Sequence, residues 1–143
     1  MPPVYFLLTI LIMVALHYLA PLARWTVLPW KWLGLFPVLV GIWLGGVANI
    51  LFRRNSTTIK PFEESSALVT AGPYRFTRNP MYLGMVLVLV GTAILMGTVS
   101  PIVVIPLFAW LIAVRFIRFE EAMLEGRFGE TFVDYKRRVR RWI

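Results

Sequence analysis

Long apolar runs without a charged side chain constrain the fold of this chain more than any other feature. Residues 81–114 contain no Asp, Glu, Lys or Arg, and two further uncharged runs cover residues 4–22 and 33–52. A helix needs about 20 apolar residues to cross the hydrocarbon core of a bilayer. The chain as a whole is 59% hydrophobic, whereas a soluble domain usually has roughly 45–50% apolar residues. The sequence therefore predicts an integral membrane protein.

The runs predict an all-α membrane fold with four transmembrane helices, which cover about residues 4–22, 33–52, 80–97 and 101–118. The longest run has room for two short helices joined at residues 97–100, so the third and fourth spans are expected to form a tight hairpin. Both helices would begin with a capping side chain followed by proline, at Asn79-Pro80 and at Ser100-Pro101.

Positive charges predict how these spans are oriented. Of the 15 Lys and Arg residues, 13 lie between the second and third spans or from Arg115 onward, and 2 follow the first span. Cytoplasmic segments carry an excess of Lys and Arg. We therefore expect the loop 53–79, the tail 119–143 and both termini to be cytoplasmic, at the inner membrane if the source is bacterial. All seven acidic residues fall on the same side, so any chemistry is expected there.

The tail predicts a basic amphipathic helix at the membrane interface. Its apolar residues recur every three or four positions, with basic residues between them, at Leu124, Phe128, Phe132, Tyr135, Val139 and Trp142. Such a helix is suited to lie on anionic lipid. Gly126 and Gly129 are expected to separate it from the fourth span.

Two glycines of the second span, Gly41 and Gly45, are four residues apart on one helix face. Small residues at this spacing allow two membrane helices to approach closely. We expect close helix packing at this face. A second copy of the chain is an alternative partner, so the oligomeric state stays open.

Composition excludes several classes of site and partner. The chain has no cysteine, and its one histidine is His17, so neither a disulfide framework nor a metal centre is predicted. The net charge of +8 lies beside apolar spans, where anionic lipid headgroups are nearer partners than nucleic acid. The lipid bilayer is therefore the expected partner, and His17 is interpreted as an interfacial or helix-packing residue at the outer end of the first span.

Two polar clusters border the apolar runs, and they carry a family resemblance. The first reads Leu-Val-Thr-Ala-Gly-Pro-Tyr-Arg-Phe-Thr-Arg-Asn-Pro-Met-Tyr at residues 68–82, and the second reads Glu-Glu-Ala-Met-Leu at residues 120–124, followed by Phe128-Gly129 and Tyr135. These motifs resemble the isoprenylcysteine carboxyl methyltransferase family and its phospholipid methyltransferase relatives. The resemblance covers roughly residues 57–143. It implies one membrane methyltransferase-like domain over residues 1–143, with S-adenosylmethionine bound on the cytoplasmic side.

The resemblance also implies which residues bind the cofactor. Residues 66–69 match a backbone segment that lines the cofactor in the family. Tyr74 matches a tyrosine that contacts the cofactor, and Glu120 matches the family's acidic cofactor ligand. The family's His-Pro-x-Tyr segment matches residues 79–82, with Asn79 in place of the histidine. The expected cofactor-binding residues are Ser66, Ala67, Leu68, Val69, Tyr74, Arg78, Asn79, Pro80, Met81, Tyr82, Glu120 and Glu121.

The chemistry of the cofactor agrees with these residue types. The sulfonium suits the π faces of tyrosines, the carboxylate suits a cation such as Arg75 or Arg78, and the ribose diol suits the carboxylate of Glu120. The adenine suits an apolar slot at residues 68–69. The methyl donor is already activated, and holding the acceptor beside it supplies about 7–11 kcal/mol. We therefore assign no catalytic residue.

The acceptor is predicted only as a lipophilic molecule: an isoprenylcysteine-like carboxylate, a lipid or an isoprenoid. The family arginine that holds the carboxylate of a prenylated substrate falls on Phe116. Its neighbours Arg115 and Arg118 are the candidate acceptor-orienting residues. Two other functions stay open: a membrane reductase of related fold that uses NADPH, and a non-catalytic membrane scaffold.

Overall fold

The computed structural model describes residues 1–25, 27–54 and 68–143, and every regular element in these ranges is helical. Residues 55–67 of the predicted loop, including Ser66 and Ala67, therefore lie outside the described residues. The helices are α1 Pro2–Leu19, α2 Leu35–Arg54, α3 Pro80–Met96, α4 Val104–Ile112, α5 Arg118–Phe128 and α6 Glu130–Arg138. A π-helical turn at Ala113–Ile117 joins α4 to α5.

Three helical segments of the described chain are long and apolar enough to cross a membrane, namely Pro2–Leu19, Trp30–Arg54 and Ser100–Phe128. These helices confirm the predicted all-helical fold with helices long enough to cross a membrane. The third predicted span corresponds to α3, which is apolar but has 17 residues. This length is at the lower limit of about 17–25 residues for a spanning helix, so the count of four spans stays a prediction.

The closest helix contact in the described residues joins α2 to α3. A Cβ atom on Gly41 would lie 2.5 Å from the carbonyl oxygen of Gly84, and one on Gly34 would lie 2.5 Å from that of Gly91. Real Cβ atoms essentially never come this close to backbone. The expected packing at Gly41 is therefore present, whereas a Cβ on Gly45 would meet nothing within 4 Å. The backbone nitrogen of Gly45 still belongs to the contact, because it would lie 3.2 Å from a Cβ atom on Gly84, but the side of Gly45 that would carry a Cβ is open, and the residue lines a cavity.

The far ends of α1 and α3 are joined by hydrogen bonds. His17 Nδ1 lies 2.8 Å from Thr98 Oγ1, and the N–H of Val99 donates to the carbonyl of Ala23 at 2.9 Å. Because α3 rises about 1.5 Å per residue over its 17 residues, this end is roughly 25 Å from Pro80. His17 therefore has a packing role and is remote from the polar clusters.

The expected separation between the fourth span and the tail helix occurs at Gly129, whose φ of 51° favours glycine, whereas Gly126 is an ordinary residue of α5. The periodic apolar residues of the tail therefore do not lie on one helix, because Leu124 and Phe128 belong to α5 and Phe132 and Tyr135 to α6. The apolar face of α6 is not available to lipid, because Phe132 is only 1% exposed and Tyr135 is buried beside it. This face packs on Leu68, Leu124 and Phe128. Val139 and Trp142 follow α6 rather than extend it.

Candidate functional site

A cavity of about 550 Å³ lies between the start of α1, the end of α2, the start of α3, α5 and α6. Its volume is within the roughly 300–1,000 Å³ that is usual for small-molecule sites. The cavity brings together all the predicted cofactor-binding residues that the structure describes: Leu68, Val69, Tyr74, Arg78, Asn79, Pro80, Met81, Tyr82, Glu120 and Glu121. Residues 38 or more positions apart in sequence therefore meet in one place.

The loop side of the cavity is fixed by a buried tyrosine pair. The tight turn Gly72–Arg75 places Tyr74 inside, where its ring lies 5.6 Å from that of Phe52. The Tyr135 hydroxyl donates to the carbonyl of Tyr74 at 2.7 Å. Burial raises the pKa of Tyr135 to about 12, and burial likewise raises the pKa of Tyr74 well above its ordinary value. Both phenols therefore stay protonated, so the bond that joins α6 to the turn persists at physiological pH.

Tyr82 and Glu120 connect the third helix to the fifth across the cavity. The Tyr82 hydroxyl donates to Glu120 Oε1 at 2.5 Å, a length typical of a strong O–H···O bond to a carboxylate. Tyr82 is buried, and it precedes Gly84, where α3 touches α2. The bond therefore holds Glu120 in place and leaves its second carboxylate oxygen as an acceptor.

Glu121 lies between two guanidinium groups. Arg78 Nη2 is 3.2 Å from Glu121 Oε1, while Arg141 donates to both carboxylate oxygens, through Nε at 3.1 Å and Nη2 at 2.5 Å. The periodicity of the tail predicts that Arg141 lies on an amphipathic helix at the lipid surface, and it does not indicate this contact with Glu121. Nothing in the run of basic residues at 136–141 distinguishes Arg141 from its neighbours.

Arg78 has spare hydrogen-bonding capacity inside the protein. Its side chain is 12% exposed, and its Nε and Nη1 atoms are buried without a hydrogen-bond partner among the described residues. Unpaired buried polar atoms are costly and usually have a reason. A guanidinium with two free N–H groups at a cavity wall fits an anionic ligand such as a carboxylate. The described residues contain no group of three His, Cys, Asp or Glu side chains placed to hold a metal ion.

The last residues of the chain lie across the loop that precedes α3. The N–H of Arg78 donates to the carbonyl of Arg140 at 2.9 Å. The carbonyl of Arg141 accepts from Asn79 Nδ2 at 3.0 Å and from Thr77 Oγ1 at 3.2 Å. We call residues 139–143 the C-terminal strap. Asn79, which replaces the family histidine, thus binds the strap.

The other half of the cavity is apolar and extends along the helices away from the polar residues. Gly45 and Gly46 leave open space on α2, so this half is not filled by side chains there. Its wall is formed by Pro2, Pro3 and Phe6 of α1, Gly41 and Ile42 of α2, and Met85 and Val88 of α3. A single cavity therefore combines a charged end with an apolar arm.

The candidate acceptor-orienting residues lie elsewhere. Arg115 and Arg118 are exposed and do not line the cavity. The π-helical turn Ala113–Ile117 directs Phe116 inward, where it is 3% exposed and its ring is 5.4 Å from that of Tyr5. The two arginines are thus outside the site, on the side of the helix away from the core.

Residues 29–131 match the family model of the phospholipid methyltransferases. The chain belongs to the phospholipid methyltransferase family. Similar proteins include protein-S-isoprenylcysteine O-methyltransferase B of Arabidopsis thaliana, which is 30% identical over 130 residues, covering 87% of this chain and 66% of that protein. The A form of the same species is 31% identical over 108 residues, covering 74% of this chain and 55% of that protein.

The fold of this phospholipid methyltransferase family member also matches a solved structure. A eukaryotic intramembrane Ras methyltransferase, isoprenylcysteine carboxyl methyltransferase, superposes with a TM-score of 0.70 at 26% identity over 96% of this chain and 50% of the other. The chain spans between half and two thirds of the length of these relatives. The membrane fold is therefore shared with them.

Proposed function

We propose that this protein is an integral membrane methyltransferase that transfers the methyl group of S-adenosylmethionine to a lipophilic acceptor at the cytoplasmic face of the membrane. The observation that carries the proposal is the cavity, which joins an open apolar arm to the guanidinium of Arg78, whose Nε and Nη1 atoms have no partner among the described residues. Membership of the phospholipid methyltransferase family supports the reaction type. The named relatives, which are isoprenylcysteine O-methyltransferases, support it further.

The charged end of the cavity fits the cofactor. Arg78 would hold its carboxylate, Glu120 would accept hydrogen bonds from its ribose, and residues 68–69 would contact its adenine. Tyr74 and Tyr82 would offer electron-rich rings to a cation. When bound, the cofactor supplies an activated methyl group, so these residues have to bind it, orient it and exclude water.

The apolar arm fits the acceptor. Because Gly45 and Gly46 line the cavity and leave open space beside α2, a hydrocarbon chain can lie there while its polar end reaches the charged end of the cavity. An isoprenylcysteine-like carboxylate, a lipid and an isoprenoid all have this form. Positioning the acceptor atom beside the methyl group is the main contribution to the rate, worth about 7–11 kcal/mol. No base from the protein is required for a carboxylate or thiolate acceptor.

The same proposal includes the orientation of the protein in the membrane. The charged end of the cavity is lined by Phe52, near the end of α2, and by Pro80, at the start of α3. The adjacent Arg53 and Arg54 end α2, and this is the side with most of the positive charge. With α3 as a fourth span, the loop 53–79 and both termini are cytoplasmic. A water-soluble cofactor then enters from the cytoplasm, and the acceptor enters from the bilayer.

Two measurements on the protein in lipid nanodiscs test this function. Titration calorimetry with S-adenosylhomocysteine should give saturable binding, and radiolabelled S-adenosylmethionine mixed with a total lipid extract should yield a labelled lipophilic product. Binding of NADPH instead would favour the reductase. Absence of heat with either ligand at millimolar concentration would leave the non-catalytic scaffold.

Replacing Glu120 with glutamine is expected to weaken S-adenosylhomocysteine binding about 10-fold. The amide keeps the size of the side chain and a hydrogen bond to Tyr82, but it loses the charge that strengthens bonds from ribose hydroxyls; a charge-assisted bond is roughly twice as strong as a neutral one. Calorimetry of both proteins measures the change. Glu130→Gln, at an exposed position outside the cavity, is the control, and equal affinities of E120Q and wild type would contradict the assigned role.

A further inference from the structure

The C-terminal strap touches Arg78 both through its backbone and through its charge. The strap accepts hydrogen bonds from the N–H of Arg78 and from the side chains on either side of it, Thr77 and Asn79. Its Arg141 side chain binds Glu121, which in turn binds Arg78. The strap therefore binds the backbone of Arg78 directly and is linked to its guanidinium through Glu121.

We propose that Arg141 is a positioning residue for the cofactor: by holding Glu121, it keeps Nε and Nη1 of Arg78 free for the cofactor's carboxylate. This inference rests on the proposed function. Arg141 itself does not line the cavity, so it acts through Glu121. The strap is then part of the binding machinery, although it lies at the end of the chain.

The charge balance among Arg78, Glu121 and Arg141 explains why Arg141 would leave Arg78 free for a ligand. Two guanidinium groups share the one carboxylate of Glu121, and Arg141 takes both of its oxygens while Arg78 contacts one, at 3.2 Å. The cluster therefore retains one positive charge, which we assign to Arg78, a residue of the cavity wall whose Nε and Nη1 have no partner among the described residues. Without Arg141, Glu121 is free to form a two-bond pair with Arg78, as arginine and carboxylate commonly do. That pair would occupy the N–H groups that the ligand requires.

The bonds from Thr77 and Asn79 set the position of the strap. Both side chains donate to the single carbonyl of Arg141, and both are buried. Asn79 is held at this carbonyl by its Nδ2 donor. The asparagine that replaces the family histidine is therefore suited to hold the strap at any pH, because an amide does not titrate.

The test compares two ligands that differ in the group that Arg78 would bind. S-adenosylhomocysteine carries an amino-acid carboxylate, whereas 5′-methylthioadenosine keeps the adenosine and lacks it. Calorimetry in nanodiscs would use the full chain as wild type, R141A, R141K and the control R137A. Arg137 pairs with Asp134 on the surface, where its side chain is 73% exposed. The melting temperature without ligand is recorded for each protein as a check of its fold.

We expect R141A to bind S-adenosylhomocysteine about 10-fold more weakly, with 5′-methylthioadenosine binding and the melting temperature unchanged. R141K should lose about threefold, since lysine keeps the charge but not the two-bond geometry. R137A should match wild type. Wild-type affinity of R141A for S-adenosylhomocysteine would overturn the inference, and so would an equal loss for both ligands or a lowered melting temperature, which indicate a structural role. A wild-type protein that binds neither ligand would instead overturn the proposed function.

Discussion

Replacing Arg78 with methionine is expected to weaken S-adenosylhomocysteine binding about 100-fold, the largest single effect on ligand binding that the structure predicts. The side chain is 12% exposed, and its Nε and Nη1 atoms are buried without a partner. A desolvated charge of this kind forms strong bonds to a carboxylate, and loss of one member of such a pair costs about 2–5 kcal/mol. A 100-fold loss corresponds to about 2.8 kcal/mol.

Two further variants define the origin of this effect. Arg75→Met is the matched control, because Arg75 belongs to the same loop but is exposed and does not line the cavity. Arg78→Lys should bind with intermediate affinity, since lysine retains a charge without the planar fork of donors. The fold should survive in all three, because Glu121 has two cationic partners and keeps one of them, Arg141, so its carboxylate is not left unpaired. If R78M and R75M lose affinity equally, the effect is one of overall charge, and Arg78 does not anchor the ligand.

Replacing Gly41 with alanine is expected to destabilise the protein by about 2–3 kcal/mol, in the upper range for overpacking of a close-packed interior. The added methyl group would lie 2.5 Å from the carbonyl oxygen of Gly84 and 2.9 Å from the side chain of Val88. The first of these is backbone, so α2 and α3 must separate. Unfolding of the detergent-solubilised protein by heat and by SDS measures the loss. Because α2 and α3 both line the cavity, ligand binding should weaken as well.

Gly45→Ala provides the control with the opposite sign. Gly45 is one turn further along the same helix, and an added Cβ atom there meets nothing within 4 Å. Since alanine is favoured over glycine in a helix by about 1 kcal/mol, this variant should be slightly more stable than wild type. A G41A protein as stable as G45A would mean that the two helices are not in backbone contact at Gly41 and Gly84.

Local composition was sufficient to predict the helices, and the family resemblance indicated the residues of the candidate site. The runs at residues 4–22 and 33–52 contain no charged side chain, and a run that long has few alternatives to a buried or membrane helix. The motifs at residues 68–82 and 120–124 predicted residues that line one cavity. The motifs predict that these distant segments meet because relatives with the same motifs share the fold that brings them together.

Other features could not be predicted, because they depend on neighbours that are distant in sequence. The periodic apolar residues of the tail predict an amphipathic helix, but they do not say whether Phe132 faces lipid or Leu124 and Leu68. The family resemblance aligns Phe116 with an arginine of the family. Its place in the core is set by the π-helical turn and by Tyr5 of α1, and neither could be read from the motif.

Hydrophobicity and charge are local properties of a segment, so the amino-acid order was enough to predict a helical membrane protein with polar residues at one end of its helices. The role of each cation, in contrast, depends on how the chain folds. Arg137 and Arg141 are alike as residue types and both belong to the basic tail, yet one forms an exposed pair with Asp134 and the other holds Glu121 beside the cavity. The difference arises from which carboxylate the folded chain brings within hydrogen-bonding distance and how much water it leaves there, and both depend on how the helices pack.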